Sequence, residues 1–295
     1  MLTKNLLKSF DTFIFDLDGT FWWYPKVVDG GKEVYERLLD LNKNVIFVSN
    51  FTFLDRDGIV KTLKKNGIEV KKEQIITSSY VASKVLKNQR VYPIGKGLES
   101  ELRKNGVKIE KSENANCVVI GHDINYNYQK GKIALKILLK GGKFYTTAYG
   151  RTWIFKNEFV PGTGLITAGL EYCSGKKPIM LGKPSSFMLK EVKKIVKGRV
   201  IYFGDEKVDV EVAKKAKFFP VFIKSGIDKK VEEKVESINS IKNLLKLFWV
   251  KIFKSLKQEE KWLVVFAKKI SNLFLPIKFK ILKIKGRDIH ENKSF

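Results

Sequence analysis

Short apolar runs, rich in β-branched and aromatic residues, alternate along this chain with helical patterns. That alternation restricts the fold more than any other feature. "TFIFD" (12–16), "NVIFVSN" (44–50), "CVVIGHD" (117–123), "KFYTTAY" (143–149), "RVIYFGD" (199–205) and "FFPVFI" (218–223) read as strands. Between them lie "GKEVYERLLDLN", a helix near Asp55–Asn66 closed by Gly67, "YQKGKIALKILLK" and "VDVEVAKKAK", all with helical character. Such repetition predicts βαβ units and a parallel sheet, hence an α/β fold. Three of the runs end in polar residues: Asp16, Ser49-Asn50 and Asp205. In open parallel sheets the strand carboxyl ends line the binding crevice, so residues 16, 49 and 205 are expected to meet there.

The residues at those ends suggest a chemistry. Neighbouring carboxylates repel unless a cation or a proton sits between them. An extended chain repeats its side-chain direction every two residues, so Asp16 and Asp18 are expected on one side. Their hard oxygens, clustered with Asp205, suit Mg²⁺. Gly19 permits a tight turn and close approach of the backbone to a ligand. Ser49 offers a hydroxyl to a phosphoryl oxygen. "LGKPSS" (181–186) delivers Lys183 just before a helix, where a cation can neutralise phosphate, and "GDEKVD" supplies Asp205 and Asp209.

"DLDGT", "VSN", "GKP" and "GDxxxD" occur in that order, each at a strand end or a loop before a helix. With these motifs the chain resembles the haloacid-dehalogenase-like hydrolases. About 130 residues separate the second motif from the third. That segment is similar to the large α/β cap of the NagD-type, 4-nitrophenylphosphatase-like branch, through "TSSYVASKVLK", "VYPIGKGLESELRKNGVKI", "CVVIGHDINYNYQKGKIAL" and "VPGTGLITAGLEYCSGKKPIMLGKP". The resemblance implies a Rossmann-like parallel-sheet core, residues 1–78 and 179–248, with an inserted α/β cap, 79–178. It implies an Mg²⁺-dependent phosphatase acting on small phosphate monoesters. Asp16 would be the nucleophile forming an aspartyl-phosphate, and Asp18 the general acid and base. Asp16, Asp205 and the Asp18 carbonyl would ligate the metal, with Asp209 a ligand or a support. Ser49 and Lys183 would hold phosphoryl oxygens, with Asn50 and Gly19 beside the substrate. His122 and Asp123 end a cap strand where the branch often places specificity residues, and substrate contact and plain loop weigh equally there.

The chain departs from the branch in places. The second motif reads Ser49-Asn50-Phe51 instead of Thr-Asn-Asn. A cap signature, commonly Thr-Asn-Pro-Asp, reads Thr147-Ala148-Tyr149-Gly150, and the fourth motif is one residue shorter. The stretch Phe21-Trp22-Trp23-Tyr24 is unusually aromatic, suited to shielding a site from water or simply to packing. None of these changes removes a catalytic group.

Remaining residues read more plainly. Cys117 in an apolar strand is expected to be packed, Trp153 to be core and Arg151 to be a solvated surface residue. With two unlike cysteines and no signal segment, a reducing cytoplasm is the default. The net charge of +26, from 57 Lys and Arg against 31 Asp and Glu, favours anionic partners. Residues 249–295 carry 12 Lys and Arg against 4 Asp and Glu, on two helically spaced apolar stripes. Two readings of this extension stay open. Either it packs on the core or across a homodimer, or residues 249–285 form a basic amphipathic anchor peripheral to an anionic membrane. Nucleic-acid binding ranks third, for want of a recognition motif. The competing function is a phosphatase-like binding protein acting through this tail.

Overall fold

The computed structural model describes residues 2–155, 158–228, 230–231 and 234–249. The alternating pattern folds as its periodicity demands. In chain order come α1 (Lys4–Lys8), β1 (Thr12–Phe15), the short pair β2 (Trp22–Trp23) and β3 (Lys26–Val27), α2 (Gly31–Asp40), β4 (Asn44–Ser49), α3 (Arg56–Lys65), β5 (Ile75–Thr77) and α4 (Ser78–Val85). Then follow β6 (Arg90–Ile94), α5 (Lys96–Lys104), β7 (Lys108–Ile109), β8 (Cys117–Ile120), α6 (Tyr128–Leu139), β9 (Lys143–Thr146), β10 (Thr152–Phe155), β11 (Glu158–Pro161), α7 (Gly164–Ser174) and β12 (Ile179–Met180). The described chain closes with α8 (Ser186–Lys193), β13 (Val200–Gly204), α9 (Lys207–Ala216), β14 (Phe219–Ile223), β15 (Glu236–Ile238) and α10 (Asn243–Trp249).

A parallel six-stranded sheet has the order β15-β14-β13-β1-β4-β5. Phe15 lies in register with Phe203 on one side and Phe47 on the other, which brings the following residues of all three strands to one edge. β1 is buried on both faces, as its uninterrupted apolar run requires. Odd-numbered Phe13 and Phe15 pack with Phe47 and Phe203 beneath α2 and α3 residues, including Leu38 and Ile59. Even-numbered Ile14 and Ile46 face Val81 of α4, Met188 of α8 and Val212 of α9. The strand order reverses direction at β1, so the crevice falls at the end of the strand that carries Asp16.

Residues 90–180 supply a second parallel sheet, order β12-β9-β8-β6-β7. α6 and α7 cover one face, through Ile137, Leu138, Ile166 and Leu170. Its other face packs against α5 within the cluster that reaches the first sheet. β10 and β11 form an antiparallel hairpin outside both sheets. β12 lies beyond the expected cap boundary of 178, yet it pairs with β9. β5, β6, β7, the β10–β11 hairpin and β15 are strands that the pattern reading does not predict, most of them being short or edge elements.

Cys117 is buried, and burial pushes its thiol up to about 12, as a packed cysteine requires. Just before the C-terminal extension, Leu244 and Phe248 of α10 join the core. The proposed lipid- or dimer-facing stripes lie beyond, outside the described residues. Among the described residues, no helix is long and apolar enough to cross a membrane.

Candidate active site

β1 ends at Phe15, and Asp16 follows with its amide donating to the Phe203 carbonyl at 2.9 Å. This bond fixes Asp16 beside the end of β13, where Asp205 emerges. Asp16, Asp205 and Asp209 are all buried and bring carboxylate oxygens within 4.8 Å of one another. Lys183 is 2% exposed and sits among them, its Nζ 2.7 Å from Asp16 Oδ1 and 2.6 Å from Asp209 Oδ1. The contact to Asp16 is an ion pair without hydrogen-bond alignment, so Asp16 Oδ1 stays without a hydrogen-bond partner.

The other carboxylates are occupied. Asp205 Oδ1 accepts from Thr20 Oγ1, and Oδ2 accepts from the Ile227 amide, each at 2.7 Å. Asp209 Oδ1 also accepts from Tyr202 OH at 3.2 Å, and Oδ2 from the Glu206 amide at 3.1 Å. Asp18 Oδ1 accepts from Trp22 Nε1 at 3.0 Å. The aromatic stretch thus packs, since Trp22 is fully buried, and it also holds Asp18 in place.

Crowding of these charges shifts their protonation. Burial holds the Asp16 carboxyl well above its ordinary range, with Lys183 opposing and Asp209, Asp205 and Asp18 adding to the rise. Asp18 is pushed up to about 6, chiefly by burial, against the Trp22 bond and the Lys183 charge. Lys183 is raised because Asp16 and Asp209 outweigh its burial. A dense cluster of acids with a single central lysine accommodates a further cation. Three buried carboxylates with their hard oxygens within 4.8 Å of one another fit a divalent metal.

Two glycines make the assembly possible. Gly19 has φ +77°, and a Cβ there would meet Asp205 Oδ2 at 2.1 Å. Gly182, in "GKP", lets the Lys183 loop cross Asn50, since a Cβ would lie 2.2 Å from Asn50 Oδ1. Asn50 then clasps that loop, accepting from the Lys183 amide at 2.7 Å and donating to its carbonyl at 3.3 Å.

Above this floor lies a cavity of about 290 Å³. Asp16, Asp18, Ser49, Asn50 and Lys183 line its base; of the three strand-end residues expected at the crevice, Asp16 and Ser49 line the cavity and Asp205 does not. His122 lines its wall, but Asp123 does not. The Asp123 carboxylate is taken by Lys130 Nζ at 2.6 Å and the Asn125 amide at 3.0 Å, so it serves the loop. Gly19 and Asp205 do not line the cavity. Trp153, expected as core, is buried yet contributes to the wall, together with Tyr149, Thr163, Met180 and Glu206. Pattern reading misses these because they come from the hairpin, loops and the two-residue strand β12, which carry no periodic signal.

His122 is locked to the loop after β4. Its amide donates to Thr52 Oγ1 at 2.8 Å, and the Thr52 amide approaches its Nδ1 at 3.4 Å. Nδ1 therefore accepts, which requires the neutral ring, and burial lowers its pKa to about 4.

A sequence model of haloacid dehalogenase-like hydrolases matches residues 13–108. A 4-nitrophenylphosphatase of Schizosaccharomyces pombe is 28% identical over 263 residues, 78% of this chain and 88% of that protein. An acid sugar phosphatase of Staphylococcus haemolyticus is 27% identical over 207 residues, 68% of this chain and 79% of the relative. Among solved structures, a 4-nitrophenylphosphatase of Thermotoga maritima superposes with a TM-score of 0.74 at 27% identity, covering 81% of this chain and 98% of its own. A p-nitrophenyl phosphatase of Archaeoglobus fulgidus gives 0.74 at 26% identity, covering 81% and 99%.

Proposed function

We propose that this chain, which belongs to the haloacid dehalogenase-like hydrolases and is a phosphoric monoester hydrolase, cleaves small phosphate monoesters with Mg²⁺ through an aspartyl-phosphate on Asp16. One observation carries the reading. Beneath the cavity Asp16, Asp205 and Asp209 crowd buried carboxylates within 4.8 Å of one another around a single lysine, Lys183 Nζ lying 2.7 Å from Asp16 Oδ1. Three buried carboxylates against one ammonium leave negative charge that a bound divalent cation would neutralise.

Asp16, Asp205 and the Asp18 carbonyl would hold Mg²⁺, which when bound neutralises phosphoryl charge. Asp209, saturated by Lys183, Tyr202 and the Glu206 amide, is assigned to holding the lysine. Asp16 attacks phosphorus while Asp18 gives its proton to the departing ester oxygen. Asp18 then takes a proton from water, whose oxygen attacks the acyl-phosphate and frees phosphate and Asp16. Lys183 and Ser49 orient the phosphoryl oxygens. This division matches a reaction that depends on positioning and charge neutralisation. The elevated Asp18 pKa supports its first role, since an acid must hold its proton before giving it.

We further propose that residues 1–78 with 179–248 form the catalytic core and 79–178 the cap. The two separate parallel sheets support a division into two parts, although α4 packs on the first sheet and β12 pairs within the second. Phosphate release from a panel of monoesters, with Mg²⁺ and with excess chelator, tests the proposal. Asp16→Asn should lower turnover by several orders of magnitude while leaving the circular dichroism spectrum intact. Full activity in that variant, or under chelation, would overturn the mechanism.

A further inference from the structure

Three acids line the cavity: Asp16, Asp18 and Glu206. Two of them are engaged. Asp16 faces the Lys183 ammonium, and Asp18 accepts from Trp22. Glu206 is partly buried, and among the described residues no hydrogen bond or ion pair reaches its carboxylate. It stands at the N-cap of α9, but the Asp209 amide donates to its backbone carbonyl at 3.0 Å, so the side chain makes no cap bond. Among the charges around it, Asp209, Asp228 and Asp18 share its sign. Lys183 opposes them but is already held by Asp16 and Asp209.

The same cavity has an aromatic wall, formed by Phe51, Tyr149, Trp153 and the neutral His122 ring. His122 and Trp153 have ring centroids 4.7 Å apart at 38°, and Phe51 meets Trp153 edge-on at 5.9 Å and 68°. The faces of such rings are negative and attract a cation, an alkylated ammonium above all. Two independent features of one cavity, a free carboxylate and a set of ring faces, are therefore complementary to positive charge. Lys183, the one cation lining the cavity among the described residues, serves the phosphoryl end. The complementary charge on a substrate thus belongs on the leaving alcohol.

We infer that the site selects monoesters whose leaving alcohol carries an ammonium group, the cation held by the Glu206 carboxylate and the ring faces of Trp153 and Phe51. The inference rests on the phosphatase reading and names the substrate class of that same site. Such an ester is a zwitterion: its phosphate meets Lys183 and its ammonium meets Glu206. A neutral alcohol of the same shape fills the same space but leaves Glu206 unpaired. Discrimination of this kind comes from charge left without a partner in a desolvated site.

The test uses the full-length chain and pairs of esters matched in shape but not in charge. Phosphocholine is compared with 3,3-dimethylbutyl phosphate, its uncharged carbon isostere, and phosphoethanolamine with propyl phosphate. With Mg²⁺ present, we expect kcat/KM to favour the cationic member of each pair at least about tenfold. Glu206→Gln keeps the shape of the side chain and removes its charge, and should bring both ratios close to one. Calorimetric binding of the same pairs to Asp16→Asn reads selection without turnover. If wild-type protein hydrolyses none of these esters but Asp16→Asn binds the cationic members more tightly, the phosphatase reading fails and the selectivity stands. If the neutral isosteres react and bind as well as the cationic esters, if Glu206→Gln leaves the ratios unmoved, or if none of the esters binds, the inference is overturned.

Discussion

His122 illustrates how one side chain can be legible in kind and hidden in role. Its place after a cap strand marks it in the sequence, but only the fold brings Thr52 to its Nδ1. Protonating that nitrogen would turn an acceptor into a donor facing an amide donor. The folded pKa of about 4 lies below the ordinary value of 6.5, so the unfolded chain binds the proton more tightly. Stability from this residue is therefore complete above pH 6.5 and falls as the pH drops toward 4, by at most about 3 kcal/mol. Urea unfolding at stepped pH, for wild type and His122→Asn, isolates this part, because Asn retains an acceptor without titrating. The wild-type curve should be the steeper of the two across that window. Parallel curves would mean that the ring is not held neutral.

Between elements, the contact most exposed to a single substitution is buried charge, not apolar packing. Arg56, the first residue of α3, donates Nε to Glu101 Oε1 and its amide to Oε2, both at 2.8 Å, and Glu101 belongs to α5. Asn105 also donates to that carboxylate at 2.9 Å, and the guanidinium lies 3.7 Å over the Tyr80 ring of α4. Three helices, one following a strand of each sheet and one bridging them, thus converge on one ion pair. Removing one partner strands the other in a dry site, so Glu101→Ala should destabilise by about 3 to 5 kcal/mol. Replacing both as Arg56→Met with Glu101→Leu should cost much less. A double variant as unstable as the single one would show that the pair stabilises beyond its own desolvation. Neither residue stands out in the sequence, where both read as ordinary helix-surface charges.

For the whole molecule, the excess of 57 basic over 31 acidic residues sets a long-range field around an acidic catalytic floor. That field should speed the arrival of dianionic esters and be screened by salt. Raising NaCl at fixed Mg²⁺ should lower kcat/KM mainly through KM, leaving kcat little changed. A flat KM across ionic strength would show that the surface charge does not reach the cavity mouth.

Sequence alone determined the parallel α/β class and the meeting of Asp16, Ser49 and Asp205. The reason is local: apolar runs fix which strands are buried, and polar residues just past their ends must emerge at one edge of a parallel sheet. It also marked Gly19 as a place where backbone must come close. What it could not determine depends on which distant segments touch. Asp123 was spent on Lys130, Trp22 became the donor that holds Asp18, and Asp209 became the partner of Lys183. Trp153 of the β10–β11 hairpin and Thr163 at the start of α7 became cavity wall. These assignments follow from packing between the two sheets, where burial and hydrogen-bond partners are set by residues far apart in the chain.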